Sequence, residues 1–161
     1  MTEVVYAIDV DGTVADNEHR VHLIRGENPD WDTFFQPSLM MKDTPIEAAK
    51  LHFRDGQFIY GRHFFLTART RNTRRATYDW LVEHGFARSN IQIFCKPDYM
   101  HLMRARVFKP LALQSLAATQ YAGCELRLIE DYGEVRRSVE EAGFRVYHAP
   151  DCWEDGSFDF G

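Results

Sequence analysis

Residues 4–8, Val-Val-Tyr-Ala-Ile, are apolar without a break, and the run stops at Asp9. A strand with one wet face alternates apolar and polar residues. A run with no polar member predicts a strand covered on both faces, as in the interior of a parallel sheet. Apolar strand signals recur at about 62–66 (Arg-His-Phe-Phe-Leu), 91–94 (Ile-Gln-Ile-Phe), 126–129 (Leu-Arg-Leu-Ile) and 145–147 (Arg-Val-Tyr). Between them lie helical patterns. The clearest, about 71–84, sets Ala76, Trp80 and Leu81 on one face and meets Gly85 as its stop. Others span about 105–120 and about 133–142, the latter with Val135 and Val139 one turn apart and Gly143 beyond; shorter ones are expected near 30–36 and 45–54. Strands alternating with helices make βαβ units. The fold class is therefore α/β: a Rossmann-like three-layer αβα sandwich with a mostly parallel central sheet. In such folds ligands bind beyond the carboxyl ends of the strands.

The chain has 161 residues, close to the ~150 expected of one domain, so 1–161 reads as a single unit with no linker or repeat dividing it. A net charge of −5 gives no molecule-wide field that would gather nucleic acid, so any polyanion site must be local. Cys95, Cys124 and Cys152 are widely spaced and include no Cys-x-x-Cys, which argues against a disulfide framework or a structural zinc. No apolar run approaches the ~18 residues of a membrane span, and no signal-like segment opens the chain; a cytoplasmic protein with no membrane association is expected. The tail 151–161 holds four acids and no base and reads as an exposed or loosely docked end.

The chemistry is concentrated where strands end. Asp9-Val10-Asp11-Gly12-Thr13 follows the first strand, so two carboxylates two residues apart project toward one crevice. Gly12 permits a positive φ or a close backbone approach that would offer main-chain N–H groups to an anion. A second strand delivers Thr67-Ala68-Arg69, a third delivers Glu130-Asp131, and Lys109 lies early in the helix between them. His19 and His22, three apart, lack a third ligand at useful spacing and are read as surface or flap residues.

This ordered set, Asp9-x-Asp11-Gly12-Thr13, then Thr67, Lys109 and Glu130-Asp131, resembles the signature of the haloacid dehalogenase-like phosphohydrolase superfamily over about 5–150. The resemblance implies that Asp9 is a nucleophile forming an aspartyl-phosphate, and that Asp11 protonates the leaving alcohol and then deprotonates the hydrolytic water. It also implies that Thr67 binds a phosphoryl oxygen and that Lys109 offsets charge, with Lys96 as the rival for that role. Mg²⁺ would be held by the carboxylates of Asp9 and Asp131 and the carbonyl of Asp11, with Glu130 acting through water. Hard oxygen ligands suit that ion, and a phosphate dianion repels a carboxylate nucleophile unless a cation intervenes. Crowding of acids leads to the expectation of a raised pKa at Asp11.

Within the superfamily the pattern is similar to the 3′-phosphatase domain of phage polynucleotide kinase-phosphatase. Arg69 after the Thr67 strand, Arg75-x-Thr77-x-x-Trp80-Leu81, and Ile129-Glu130-Asp131 with Val135 and Gly143 beyond carry the likeness. That family has Ser where Thr67 stands and Asp where Glu130 stands. Residues 14–45, containing Trp31, Phe34 and Phe35, are long enough for a short flap or small insertion but not a separate cap. An open site follows, with Gly12, Thr13, Ala68, Arg69, Arg71 and Arg75 expected to bind substrate. The implied substrate is the 3′-phosphate end of a nucleic acid or nucleotide; a nucleotide or sugar phosphatase, or a module that binds phosphate ends without turnover, are the alternatives. No Gly-x-x-x-x-Gly-Lys-Ser/Thr loop is present, so no kinase half is recognised, and no obligate protein partner is evident.

Overall fold

The computed structural model describes residues 2–54 and 62–155. In chain order these contain β1 (Val4–Ile8), β2 (Ala15–Asp16), α1 (Glu18–Val21), α2 (Trp31–Phe34), α3 (Pro37–Met40), β3 (Thr44–Pro45), α4 (Glu47–Arg54) and β4 (Arg62–Thr70). Then follow α5 (Arg74–Glu83), β5 (Ile93–Lys96), α6 (Ala105–Ala118), β6 (Glu125–Glu130), α7 (Gly133–Glu141), β7 (Arg145–His148) and α8 (Ala149–Asp155).

Among these, β5-β4-β1-β6-β7 form one sheet in that order, every neighbouring pair parallel. The apolar run of β1 occupies its centre, which is why it needed no polar residue. Val5 and Ala7 face one way, into a core with Phe64, Leu66, Leu126 and Leu128 under α6 and α7. Tyr6 and Ile8 face the other way, with Phe65, Ile129, Trp80, Leu81 and Phe86. Two cores on opposite faces of one sheet make the three layers expected, each fully buried large side chain being worth about 1.5–3 kcal/mol.

The chain moves outward from β1 through β4 to β5, then returns to the other side of β1 for β6 and β7. Strand order thus reverses beside β1, and such a switch point opens a crevice at the carboxyl ends of the strands flanking it. Ile8 pairs with Ile129 across β1 and β6, so Asp9 leaves its strand level with Glu130.

Three expectations change. The strand beginning at Arg62 continues to Thr70, because its later residues keep pairing with β5 after a register shift between Thr67 and Thr70. The following helix starts as a 3₁₀ turn, Arg71–Thr73, before α5 proper. The segment after β7 is docked where a loose end was expected: α8 buries Cys152 and Trp153, and the indole Nε1 donates to the Thr13 carbonyl at 2.9 Å. The run of acids hid this helix, since Asp151 and Glu154 lie outside while the apolar pair turns inward. The remainder of that tail, 156–161, lies outside the described residues.

Segment 14–45 folds back on itself. β2 and β3 pair antiparallel through Ala15–Pro45 and Asp16–Thr44, closing the segment at its base, while α1, α2 and α3 lie between. Trp31, Phe34 and Phe35 pack together as rings, and Phe34 and Met40 are buried. No helix of the described residues is long and apolar enough to cross a membrane.

Candidate active site

At the crevice, Asp9 and Glu130 are buried, Asp131 is partly buried, and their carboxylate oxygens lie within 4.8 Å of one another. Lys109 reaches in from the second turn of α6, its Nζ 2.6 Å from Asp9 Oδ1 and 2.5 Å from Glu130 Oε2. The Thr13 hydroxyl sits between the other two acids, 3.0 Å from Asp9 Oδ2 and 3.2 Å from Asp131 Oδ1. Asp9 is held by its backbone as well, its N–H donating to the Ile129 carbonyl at 3.1 Å. Arg136 of α7 donates to the carbonyl of Asp131 and, at 3.4 Å, to that of Glu130, fixing the β6 exit.

Three carboxylates facing one ammonium leave two negative charges without a partner. Burial first, and then the charge of Asp9, push Asp131 up to about 7 and Glu130 well above the usual carboxylate range. Lys109 moves upward: burial opposes its charge, but Asp9 and Glu130 outweigh that. A cluster of oxygen donors short of two positive charges fits a hard divalent cation, and Asp9, Glu130 and Asp131 are the residues that would hold it.

Gly12 allows this crowding. It takes φ +79°, and a Cβ there would stand 2.1 Å from Asp131 Oδ2 and 2.7 Å from its Cγ. The sequence expectation for Gly12 and Thr13 is corrected in one respect. Their N–H groups are not offered to an anion: Gly12 donates to the Ala15 carbonyl at 2.8 Å and Thr13 to the Val10 carbonyl at 3.2 Å, building the turn itself. The glycine is needed so that Asp131 can approach the backbone. Gly12→Ala is expected to cost about 1–3 kcal/mol from backbone strain alone, and to weaken divalent-cation binding at least tenfold by displacing Asp131. Isothermal titration with Mg²⁺, beside a thermal melt, checks both; wild-type cation affinity in the variant contradicts the assignment.

Asp11 departs from expectation. Its carboxylate lies apart from the acid cluster and is gripped by two guanidinium groups: Arg20 Nη2 at 2.6 Å, Arg69 Nη2 at 2.8 Å and Arg69 Nε at 3.0 Å. Burial pulls its pKa upward, yet the charges and hydrogen bonds of Arg69 and Arg20 prevail and hold Asp11 well below the usual carboxylate range. The crowding expected to raise it acts instead on Glu130 and Asp131.

Arg69 shares in this arrangement. The side chain is 1% exposed and bonds Asp11, Thr77 Oγ1 and Asp43, so its guanidinium nitrogens are engaged within the protein. Thr67 is buried within β4, where the strand's register begins to shift, its hydroxyl accepting from the Arg69 N–H at 3.1 Å, and Ala68 beside it is partly exposed. Arg71 and Arg75 are exposed, and neither is tied to the acid cluster by a hydrogen bond or ion pair; Arg75 pairs with Asp79 along α5 at 3.1 Å. Lys96 is buried elsewhere, donating to the carbonyls of His101 and Met103 at 3.0 and 2.8 Å, so the lysine at the cluster is Lys109. Burial also pushes the Cys95 thiol up to about 11, away from nucleophilic chemistry.

Sequence reasoning missed Arg20, Asp43 and Arg136. Arg20 stood in the sequence as one of two arginines in a stretch read as a short flap or small insertion. Asp43 carried no motif, and nothing at that range signals that two arginines would converge on it.

No family model matches the chain, and no curated protein matches it in sequence. Solved structures do match in fold. The chain is similar to one in a Pnkp1/Rnl/Hen1 complex, with a TM-score of 0.60 at 15% identity over 91% of this chain and 46% of that one. It is similar also to one in the Pnkp1/Rnl/Hen1 RNA repair complex, with a TM-score of 0.61 at 14% identity over 91% and 42%. A hydrolase from Streptococcus pneumoniae TIGR4 matches with a TM-score of 0.57 at 15% identity over 91% and 92%. The chain thus spans less than half of the first two and nearly all of the third. At such identities the shared property is the fold. That fold is the five-stranded parallel sheet flanked by helices described above.

Proposed function

We propose that the chain is a Mg²⁺-dependent phosphomonoesterase that works through phosphorylation of Asp9 and removes 3′-phosphates from nucleic-acid or nucleotide ends. The observation that carries the reading is the charge deficit at the crevice: three converging carboxylates, one lysine, and room in the balance for a dication. A bound Mg²⁺ supplies charge neutralisation and Lewis acidity toward a phosphoryl oxygen.

The protein's own residues do the rest. Asp9 attacks phosphorus as the bond to the leaving oxygen breaks, giving a phosphoryl-aspartate. Lys109 holds Asp9 in place and stays protonated throughout, since both of its partners favour the charged form. Asp11 handles the protons, giving one to the leaving oxygen and taking one from the water that hydrolyses the intermediate. Its pairing with two arginines keeps it ionised at rest, the form the second step requires; to serve the first step it must take up a proton before the ester bond breaks, against the pull of Arg69 and Arg20. Thr67, in the neighbouring strand β4 where its register shifts, hydrogen-bonds the phosphoryl group. Segment 14–45 acts as a small insertion beside an open site and not as a separate cap.

The nucleic-acid preference rests on the resemblance and on the open site, with the fold neighbours in a complex described as one of RNA repair lending support. The test is phosphate release from 3′-phosphorylated oligonucleotides, 5′-phosphorylated oligonucleotides, mononucleotides and sugar phosphates under one Mg²⁺ concentration. The reading expects kcat/KM on 3′-phosphorylated ends to exceed that on the others by about 10²-fold or more. Preference for sugar phosphates overturns the substrate assignment. Absence of turnover on any ester, with binding retained, supports the non-catalytic module instead.

A further inference from the structure

Asp11 is one corner of a buried network whose other corners come from distant parts of the chain. Arg20 of α1 and Arg69 of β4 both bridge from Asp11 to Asp43, the residue before β3. Arg20 binds Asp43 as a two-pronged fork, Nε to Oδ1 at 2.8 Å and Nη2 to Oδ2 at 2.7 Å, while Arg69 Nη2 reaches Oδ2 at 3.2 Å. The remaining guanidinium donors are fixed too: Arg20 Nη1 bonds the Phe34 carbonyl at 3.0 Å and Arg69 Nη1 bonds Thr77 Oγ1 at 3.1 Å.

Asp43 is itself anchored. Its side chain is fully buried, its N–H donates to the Met40 carbonyl at 3.0 Å, and its carbonyl accepts Trp80 Nε1 at 2.9 Å. His19 closes the outer side, its Nε2 2.7 Å from Asp43 Oδ1. Two carboxylates and two guanidinium groups balance, unlike the acid cluster beside them. Of the two carboxylates only Asp11 reaches the surface, with 24% of its side chain exposed against none of Asp43. The rigid forks of the arginines therefore convert the fixed position of Asp43 into a fixed direction for Asp11.

We propose that Asp43 is a positioning residue for Asp11, acting through Arg20 and Arg69, so that segment 14–45 serves catalysis by aiming the proton-transfer carboxylate. This rests on the phosphatase reading above. The step it governs is hydrolysis of the phosphoryl-aspartate. Water oxygen bonds to phosphorus, the bond from phosphorus to the Asp9 oxygen breaks with its electron pair returning to the carboxylate, and the water's proton passes to Asp11. A misaimed Asp11 slows this step. It leaves untouched the transfer of phosphate from an ester whose leaving group needs no proton.

The test uses 4-nitrophenyl phosphate and Mg²⁺ in rapid-mixing kinetics of the wild type, Asp43→Asn and Arg20→Lys. The second variant keeps the buried positive charge but loses the fork, and serves if the first does not fold. In each variant kcat is expected to fall about tenfold or more while kcat/KM stays within about threefold of wild type, with a burst near one nitrophenolate per site. The burst and the ratio of the two constants are read on folded protein, so partial unfolding does not imitate them. Unchanged kcat, or kcat and kcat/KM falling together without a burst, overturns the proposal. A wild type that turns over no ester sinks the phosphatase reading, whatever the variants do.

Discussion

Asp9→Asn is expected to lower ester hydrolysis by a factor on the order of 10⁴ or more while leaving the protein folded. The amide has no ionised oxygen to attack phosphorus, and no neighbour replaces it: Glu130 is occupied by Lys109, Asp131 lies across the Thr13 hydroxyl, and Asp11 is held by two arginines. Stability is expected to change in an informative direction. Without metal, Asp131 titrates at about 7 in the folded chain against 3.8 when free, driven by burial and then by the charge of Asp9. A group raised on folding contributes stability that is complete below its unfolded pKa and is lost as pH rises through its folded pKa. The metal-free wild type should therefore lose this contribution between about pH 4 and 7. The loss should be shallower in Asp9→Asn, where the repelling charge is gone. Melts across that range, with EDTA present, check it; identical pH profiles contradict the electrostatic coupling, and an active Asp9→Asn enzyme contradicts the nucleophile.

Lys109→Met is expected to be the most damaging substitution for the fold. Lys109 is 2% exposed and, among the described residues, is the one ammonium paired with the cluster's acids. Removing one partner of a buried pair costs about 3–5 kcal/mol, because the other partner is left buried and uncompensated. Here two carboxylates lose their partner at once. In a chain of 161 residues this corresponds to a fall in Tm on the order of 10 °C. The cost should be smaller at acid pH, where Glu130, already pushed upward by burial and by Asp9, accepts a proton and ceases to need the lysine. Divalent cation should recover part of the lost stability, since it supplies charge at the same oxygens. A Tm unchanged at neutral pH in metal-free buffer contradicts the ion-pair geometry.

The parts legible in the sequence were those in which local pattern and final environment agree. The run 4–8 had no polar residue because both of its faces are covered, and its end at Asp9 marked the switch point of the sheet. Asp9, Lys109, Glu130 and Asp131 come together because each sits at a strand end or in an early helical turn, positions that strand order alone aligns. What stayed hidden depended on contacts between distant segments. Arg20 and Asp43 are 23 residues apart, Arg69 and Asp11 are 58 apart, and no periodicity announces their meeting. The same gap explains the misjudged Asp11: the charge nearest it in sequence is Asp9, two residues away, while its neighbours in space are arginines. Trp153 went unread as a core residue because the acids around it outweighed it in any local count, whereas contacts with the Thr13 carbonyl and the rings of His52 and Phe53 reveal its place.

The account's central claim is that a divalent cation turns this cluster of acids into a site for phosphate esters. The most direct measurement is phosphate release from 4-nitrophenyl phosphate as Mg²⁺ is titrated into protein stripped with EDTA. Activity that rises from background to saturation with Mg²⁺, and fails to rise in Asp131→Asn except at much higher concentration, is the result predicted. Hydrolysis equally fast in EDTA, or absent at every Mg²⁺ concentration, would contradict it.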